Sequence, residues 1–115
     1  MKTKGDLIEF SDFEKLDVRV GVISEIMDAI ECRVPAYILH IDFGPTIGIK
    51  KSIAQAKNYT PEQLKGKQVL VVINFGPKQI GKYLSEALVL GVPTENAGTA
   101  LVVPDMPATI GGKLF

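Results

Sequence analysis

Apolar and polar residues alternate with a period of two in residues 16–26 and again around Ile47 and Ile49, which predicts strands rather than helices. In residues 16–26, Val18, Val20 and Val22 are separated by polar residues or glycine. This spacing places the valines on one face of a half-buried strand, and Gly21 inside it indicates a bend or bulge. Further strands are predicted over residues 36–43, 47–54, 68–75, 85–92 and 99–104.

Two short helical turns are predicted, each from a capping box at its start. The sequence S-D-F-E, which begins at Ser11, predicts a turn over about residues 12–16. The second turn begins at Thr60, with Pro61 at the first helical position and Gln63 closing the box. A glycine soon after Gln63 ends this helix after little more than one turn.

The order of elements predicts an all-β fold. Three strands, a short helix and two or three more strands, separated by Gly/Pro turns, are typical of a barrel or sandwich. The helix between strands three and four favours the OB fold, a five-stranded barrel that binds ligands on the face of strands two and three. We therefore predict one domain over residues 1–115, with a barrel core at about 16–103 and extensions at 1–15 and 104–115.

Lys50 and Lys51 stand side by side in the third predicted strand. Because neighbouring side chains of a regular strand point to opposite faces, we expect a bulge that lets both ammonium groups project to one side. The chain has no net charge, but residues 50–82 carry seven lysines and one glutamate, a net charge of +6. This segment would attract an anionic partner, although lysines on a solvated face would give the same count.

The sequence does not predict a catalytic or metal site. Cys32 and His40 are the only cysteine and histidine, too few for a four-ligand zinc site. Residues 76–83 match the phosphate-binding pattern G-x-x-x-x-G-K, but Tyr83 replaces the serine or threonine that binds magnesium. We interpret this stretch as a connecting loop and expect a non-enzymatic protein without cofactor or metal.

The sequence also predicts a cytoplasmic location without membrane insertion. No apolar run approaches the roughly 18 residues that span a bilayer. The first ten residues contain two lysines without a long apolar stretch behind them, unlike a secretory signal. The lone Cys32, which we interpret as a packing or loop thiol, suits a reducing compartment.

Polar residues in strands one, three and four, and in the following loop, form a candidate binding surface. Lysines can hold phosphates, amides and hydroxyls can contact base edges, and aromatic rings can stack on bases. A core position is the alternative for Phe75. The candidates are Arg19, Lys50, Lys51, Ser52, Gln55, Asn74, Phe75, Lys78, Lys82 and Tyr83.

Several stretches resemble one family. The motifs R-V-G, Y-T-P-E-Q-L-K-G-K, N-F-G-P-K-Q-I-G and S-E-A-L-V-L-G occur in that order, within residues 12–21, 59–69 and 74–91. With residues 35–55 and the tail at 104–113, they look like the EMAP-II-type tRNA-binding domain and, within that superfamily, the CsaA-type export-related chaperones. The resemblance implies an OB-fold barrel, a homodimer and no catalysis.

The resemblance also implies which residues bind and which ligands they hold. It adds Ser85 to the candidate site and retains Arg19, Lys50, Lys51, Ser52, Gln55 and Asn74. The alternative is that Asn74, Ser85 and Glu86 satisfy backbone groups at strand ends.

Two ligand classes remain open. The stretches C-R-V-P-A-Y-I-L at 32–39 and K-K-S-I-A-Q at 50–55 depart from the tRNA-binding branch. They favour a chaperone that holds unfolded precursor polypeptides for secretion, with the secretion machinery as a further partner. The alternative is a module that binds tRNA through the lysine-rich face.

A homodimer is also expected from the pattern of strand four, which is apolar on both faces. A small barrel buries only one face of each strand, so Leu70 and Val72 need a cover, as do Leu88 and Leu90. The C-terminal tail or a second subunit could supply it, and a two-fold pair is the commonest oligomer.

Overall fold

The computed structural model describes residues 4–115. After a 3-10 turn at Lys4–Asp6, the elements are α1 (Phe10–Glu14), β1 (Val18–Asp28), β2 (Tyr37–Asp42), β3 (Ile49–Ala54), α2 (Pro61–Leu64), β4 (Gln68–Val72), β5 (Lys78–Ile80), β6 (Tyr83–Ser85), β7 (Leu88–Val89), β8 (Gly91–Pro93) and β9 (Thr99–Leu101).

Five strands form a nearly closed antiparallel barrel in the order β3-β2-β1-β4-β7. Strands β5 and β6 form one separate hairpin, and β8 and β9 form another. The short helix α2 lies between the third and fourth barrel strands, as the sequence predicts. The predicted OB-type all-β fold is therefore confirmed.

The barrel interior is filled by large aliphatic side chains at alternate positions of β1, β2 and β4. Ile23, Leu39, Ile41, Val69 and Val71 have no exposed surface. Leu64 of α2 is equally buried and packs into the same core, so the short helix contributes one anchoring side chain. Fully burying such a side chain contributes roughly 1.5–3 kcal/mol to folding.

The capping box of α2 forms as predicted. The Thr60 hydroxyl accepts a hydrogen bond from the Gln63 amide at 3.2 Å, and the Gln63 side chain accepts one from the Thr60 amide at 2.8 Å. Gly66 follows with φ +85°, a conformation that favours glycine.

Helix α1 begins earlier than the predicted turn at residues 12–16. It starts at Phe10 with Glu9 as its N-cap, and Asp12 accepts a hydrogen bond from the Glu9 amide at 2.9 Å. The predicted box between Ser11 and Glu14 is wrong, because an upstream acidic pair supplies the cap and places Ser11 inside the helix.

The bulge in β1 lies beyond Gly21. The β1–β2 register shifts between Ile23 and Glu25, which leaves Ser24 as the extra residue. Gly21 has a different role, since a Cβ atom there would overlap Ile41 Cγ2 and lie 2.8 Å from Phe43 Cε1. The glycine leaves room for the Ile41 and Phe43 side chains to pack against β1.

The expected bulge at the paired lysines is wrong. The β2–β3 pairing is regular from Tyr37 opposite Ala54 to Asp42 opposite Ile49. An uninterrupted ladder leaves no extra residue on β3, so Lys50 and Lys51 point to opposite faces.

The predicted fifth strand, residues 85–92, is broken into parts of β6, β7 and β8. The preceding segment, predicted as a connecting loop, contains the β5–β6 hairpin with Gly81 and Lys82 at its turn. Backbone hydrogen bonds explain the break: the Glu86 and Ala87 amides donate to the Lys51 carbonyl, which turns the chain toward β3 between β6 and β7.

The C-terminal tail continues the sheet beside β1. The Gly111 amide donates to the Val20 carbonyl at 2.8 Å, and the Val20 amide donates to the Gly112 carbonyl at 2.9 Å. Of the positions predicted to need a cover, Val72 is buried within the chain itself, whereas Leu88 is 47% exposed.

Candidate ligand-binding surface

The structure places the predicted site residues in several separate environments. Arg19 and Asn74 lie near the start of β1, where they fix the chain. Arg19 Nε donates to Asp17 Oδ1 at 2.6 Å, and its Nη1 donates to the Gly111 carbonyl at 3.0 Å. Asn74 accepts from the Asp17 amide at 2.9 Å and donates to the Lys15 carbonyl at 2.7 Å. These bonds hold both chain extensions against the barrel.

Side-chain hydroxyls close the barrel between β3 and the segment that contains β6 and β7. Ser52 is fully buried, and its Oγ accepts a hydrogen bond from the Val89 amide at 3.2 Å. Ser85 Oγ accepts from the Ile53 amide and donates to the Ala87 carbonyl, each at 3.1 Å. We call this junction the seam.

Glu86 completes the seam by accepting a hydrogen bond from the Lys51 amide at 2.9 Å. Together with the contacts of Asn74 and Ser85, this confirms the alternative prediction that the three side chains satisfy backbone groups. The two serines of the candidate set therefore have structural partners.

An apolar cavity of about 330 Å³ opens beside the seam, and we call it the seam cavity. Phe75 and Leu88, which are 51% and 47% exposed, lie at its mouth. Charged groups of both signs, Lys78 and Glu86, stand beside them. Its lining is Ile53, Phe75, Gly76, Lys78, Ile80, Ser85, Glu86, Ala87 and Leu88.

The sequence predicts Phe75, Lys78 and Ser85 of this lining but not its apolar wall. Ile53, Ala87 and Leu88 read as ordinary strand positions, and only their long-range contacts bring them to one cavity. The signal that could have found Ile80 is the Gly81-Lys82 pair, because glycine at the first central position is typical of a two-residue hairpin turn.

The remaining lysines differ in their availability. Lys50 and Lys51 are half-buried and Lys78 is exposed. Within residues 4–115, none of the three belongs to an ion pair. Gln55 is exposed, and its carbonyl accepts a hydrogen bond from Thr99.

Lys82 is already paired. Its Nζ lies 2.8 Å from Glu31 Oε1, and a hydrogen bond to this carboxylate, together with its negative charge, raises the pKa of Lys82 above the ordinary lysine value. Glu31 is absent from the predicted site, because the β1–β2 loop and the hairpin turn are far apart in sequence.

The part of the chain that the structure describes has no group of three histidine, cysteine, aspartate or glutamate residues placed to hold a metal ion. None of its helices has the length and hydropathy to cross a bilayer.

Sequence comparison connects this barrel with tRNA. A profile of the putative tRNA binding domain family matches residues 18–113. The methionine–tRNA ligase of Pyrococcus horikoshii is 33% identical over 110 residues, which are 95% of this chain and 15% of the ligase. That of Parabacteroides distasonis is 32% identical over 110 residues, covering 93% of this chain and 16% of the ligase. The chain thus spans only about 15% of the length of these relatives.

Structural comparison connects the barrel with chaperones. The CsaA chaperone protein of Picrophilus torridus superimposes with a TM-score of 0.89 and 45% identity, covering 95% of this chain and all of the other. Chaperone CsaA of Bacillus anthracis gives 0.87 and 42%, covering 95% and 99%. A MetRS-related protein of Pyrococcus horikoshii, at 0.82 but 22% identity, shares the fold over 96% of this chain and 99% of its own.

Proposed function

The chain belongs to the tRNA-binding domain family, and from this premise we propose that it is a non-catalytic, cytoplasmic binding protein that holds unfolded polypeptides before export. The seam cavity carries this proposal. It offers apolar walls to a side chain of the client and has charges of both signs at its mouth. Its volume lies at the lower end of the ~300–1,000 Å³ range of ligand pockets, which suits one or two side chains.

The hydrogen bonds and the ion pair formed by the polar candidate residues support a polypeptide ligand. Arg19, Asn74, Ser52 and Ser85 are engaged with the protein's own backbone, and Lys82 is paired with Glu31. The polar candidates left to hold a phosphate backbone are Lys50, Lys51, Gln55 and Lys78. Two structures that are 45% and 42% identical to this chain are named as chaperones.

The proposal is tested with a chemically unfolded model substrate. The protein should bind it and suppress its aggregation at stoichiometric amounts, because apolar client side chains enter the seam cavity. Binding should change little between about 50 mM and 200 mM salt, a range in which phosphate contacts lose orders of magnitude in affinity. Absence of protection at stoichiometric protein would refute the chaperone function.

Binding of tRNA is the second candidate, and the lysines of β3 favour it. Lys50 and Lys51 are not in ion pairs within residues 4–115, and Lys78 is exposed at the mouth of the seam cavity. Lys51 lies on the outer face of β2 and β3, the OB-fold face that commonly binds oligonucleotides, whereas Lys50 points to the opposite face of β3. The match to the tRNA-binding family supports the same ligand.

For this candidate we expect the substitutions Lys50→Glu and Lys51→Glu together to weaken tRNA binding by about tenfold or more at low salt, because a phosphate contact of Lys51 becomes a repulsion and the change at Lys50 lowers the positive potential of β3. A filter-binding titration measures the effect. The control is Lys65→Glu with Lys113→Glu, which makes the same charge change at exposed positions on other elements. An equal loss in both variants would mean that only net charge matters.

We further propose that the chain forms a homodimer through its extensions, residues 1–15 and 104–115, of which residues 1–3 lie outside the described residues. Leu7, Ile8 and Phe10 around α1 are 77%, 75% and 71% exposed. Large apolar side chains at this exposure are typical of an interface when they cluster.

The dimer proposal predicts that light scattering gives twice the chain mass, and that Ile8→Asp with Phe10→Asp gives the mass of a single chain. The matched control is Ile30→Asp with Val34→Asp, in the β1–β2 loop, where both residues are also exposed. A monomeric wild-type protein, or a dimer that survives the α1 substitutions, would contradict it.

A further inference from the structure

Two segments flank the outer face of β2 and β3, and an ion pair joins them. One is the β1–β2 loop, residues 29–36, and the other is the β5–β6 hairpin. Lys82 at the hairpin turn contacts Glu31 of the loop at 2.8 Å. The backbones also approach closely, since a Cβ atom on Gly81 would lie 3.4 Å from the Glu31 carbonyl oxygen. We call the Glu31–Lys82 contact the latch.

The latched hairpin lies over the outer face of the barrel. Tyr83 packs against Ala36 and Ile38 in a small apolar cluster outside the barrel core. Beside this cluster is a second cavity, of about 240 Å³, which is lined by Met27, Ile38, His40, Lys51, Ile53, Tyr83 and Leu84. His40 Nδ1 is buried and has no hydrogen-bond partner among residues 4–115.

In OB folds this face and its two flanking loops are where oligonucleotides bind. The latch therefore connects the two segments between which a nucleic-acid strand would lie. We propose that Glu31 occupies the place of a ligand phosphate at Lys82 and holds the hairpin closed, so that the latch selects against RNA. The inference rests on the second candidate function, since it concerns how the same face would admit tRNA.

The latch is suited to competition rather than permanent closure. The Lys82 and Glu31 side chains are 57% and 53% exposed, and ion pairs at such exposure contribute little to stability. The carboxylate raises the pKa of Lys82, so the ammonium group is charged at neutral pH in the pair. A phosphate can replace the carboxylate without a change of protonation.

A double-mutant cycle tests the latch with two probes, tRNA and heparin. Glu31→Gln should tighten binding of both by about three- to tenfold, because Lys82 becomes available to the polyanion. Lys82→Gln should have little effect in the wild-type protein but should remove the whole gain in the Glu31→Gln background. The matched control is Glu62→Gln, which removes the same charge from an exposed position of α2, away from the outer face of β2 and β3, and should change binding less than twofold.

Equal gains from Glu31→Gln and Glu62→Gln would overturn the latch, since net charge alone would then explain them. The latch would also be overturned if Lys82→Gln weakened polyanion binding equally in the wild-type protein and in the Glu31→Gln background. An NMR titration in which the pKa of Lys82 does not fall in Glu31→Gln would also overturn it, without any ligand.

The two probes separate the latch from the proposed tRNA function. If heparin shows the coupling while no variant binds tRNA, the latch stands and the tRNA candidate falls. If tRNA binds without coupling, the latch falls and the tRNA candidate stands. If neither probe shows coupling, the latch is refuted.

Discussion

Replacing Phe75 and Leu88 together by serine should lower the affinity for an unfolded polypeptide by at least tenfold. Both side chains lie at the mouth of the seam cavity and are about half exposed. A client that covers them removes their remaining apolar surface from water. At about 25 cal/mol per Å² this is roughly 1 kcal/mol for each side chain, and about 1.4 kcal/mol corresponds to a factor of ten.

The measurement is a fluorescence titration with a labelled unfolded substrate, alongside circular dichroism to show that the variant folds. Val34→Ser with Ile49→Ser is the control, because these apolar side chains are similarly exposed but lie outside the seam cavity. Equal losses in the two double variants would indicate general surface hydrophobicity. An unchanged affinity for Phe75→Ser with Leu88→Ser would remove the seam cavity from the proposed function.

The substitution Gly21→Ala should lower the free energy of unfolding by about 2–3 kcal/mol. The added methyl group would overlap Ile41 Cγ2 and press against Phe43, both of which are buried. Overpacking of this kind forces side chains from their rotamers or moves the backbone, at a cost of typically 1–3 kcal/mol. Urea denaturation measures the change through the midpoint at constant slope.

Gly76→Ala is the control for this substitution, since no atom of the described chain lies within 4 Å of the position of its Cβ. Gly76→Ala should change the midpoint of urea denaturation little. A Gly21→Ala protein as stable as the wild type would mean that β1 and β2 can move apart to make room for the added methyl group without loss of packing.

Local patterns were sufficient to predict most of the fold. The α2 box depends only on residues 60–63, and it forms as predicted. Period-two alternation found β1 and the start of β3, and short apolar runs found β2 and β4. The α1 start was wrong because Glu9 and Asp12 form a capping box two residues before the one predicted from Ser11 and Glu14. The β5–β6 hairpin was missed because its turn residues also fit a phosphate-binding loop.

The candidate site was harder to predict, because most of its contacts join distant parts of the chain. Composition alone cannot show that Ser52 is buried against Val89, or that Asn74 holds the residues before β1. Lys82 looks available in the sequence and is paired in the structure. The lysines left outside ion pairs in residues 4–115 are fewer than the charge count suggests.

The hydroxyl-closed seam gives the barrel one place where its circumference can increase. Widening it there breaks a few side-chain hydrogen bonds and the two backbone bonds to the Lys51 carbonyl, each with a net contribution of about 1 kcal/mol, whereas widening it between β1 and β2 would break a whole ladder. We therefore expect the β3–β7 junction to open before any of the other four strand pairings. A barrel that widens at the seam would accept ligands of different sizes, which a barrel of fixed circumference would not.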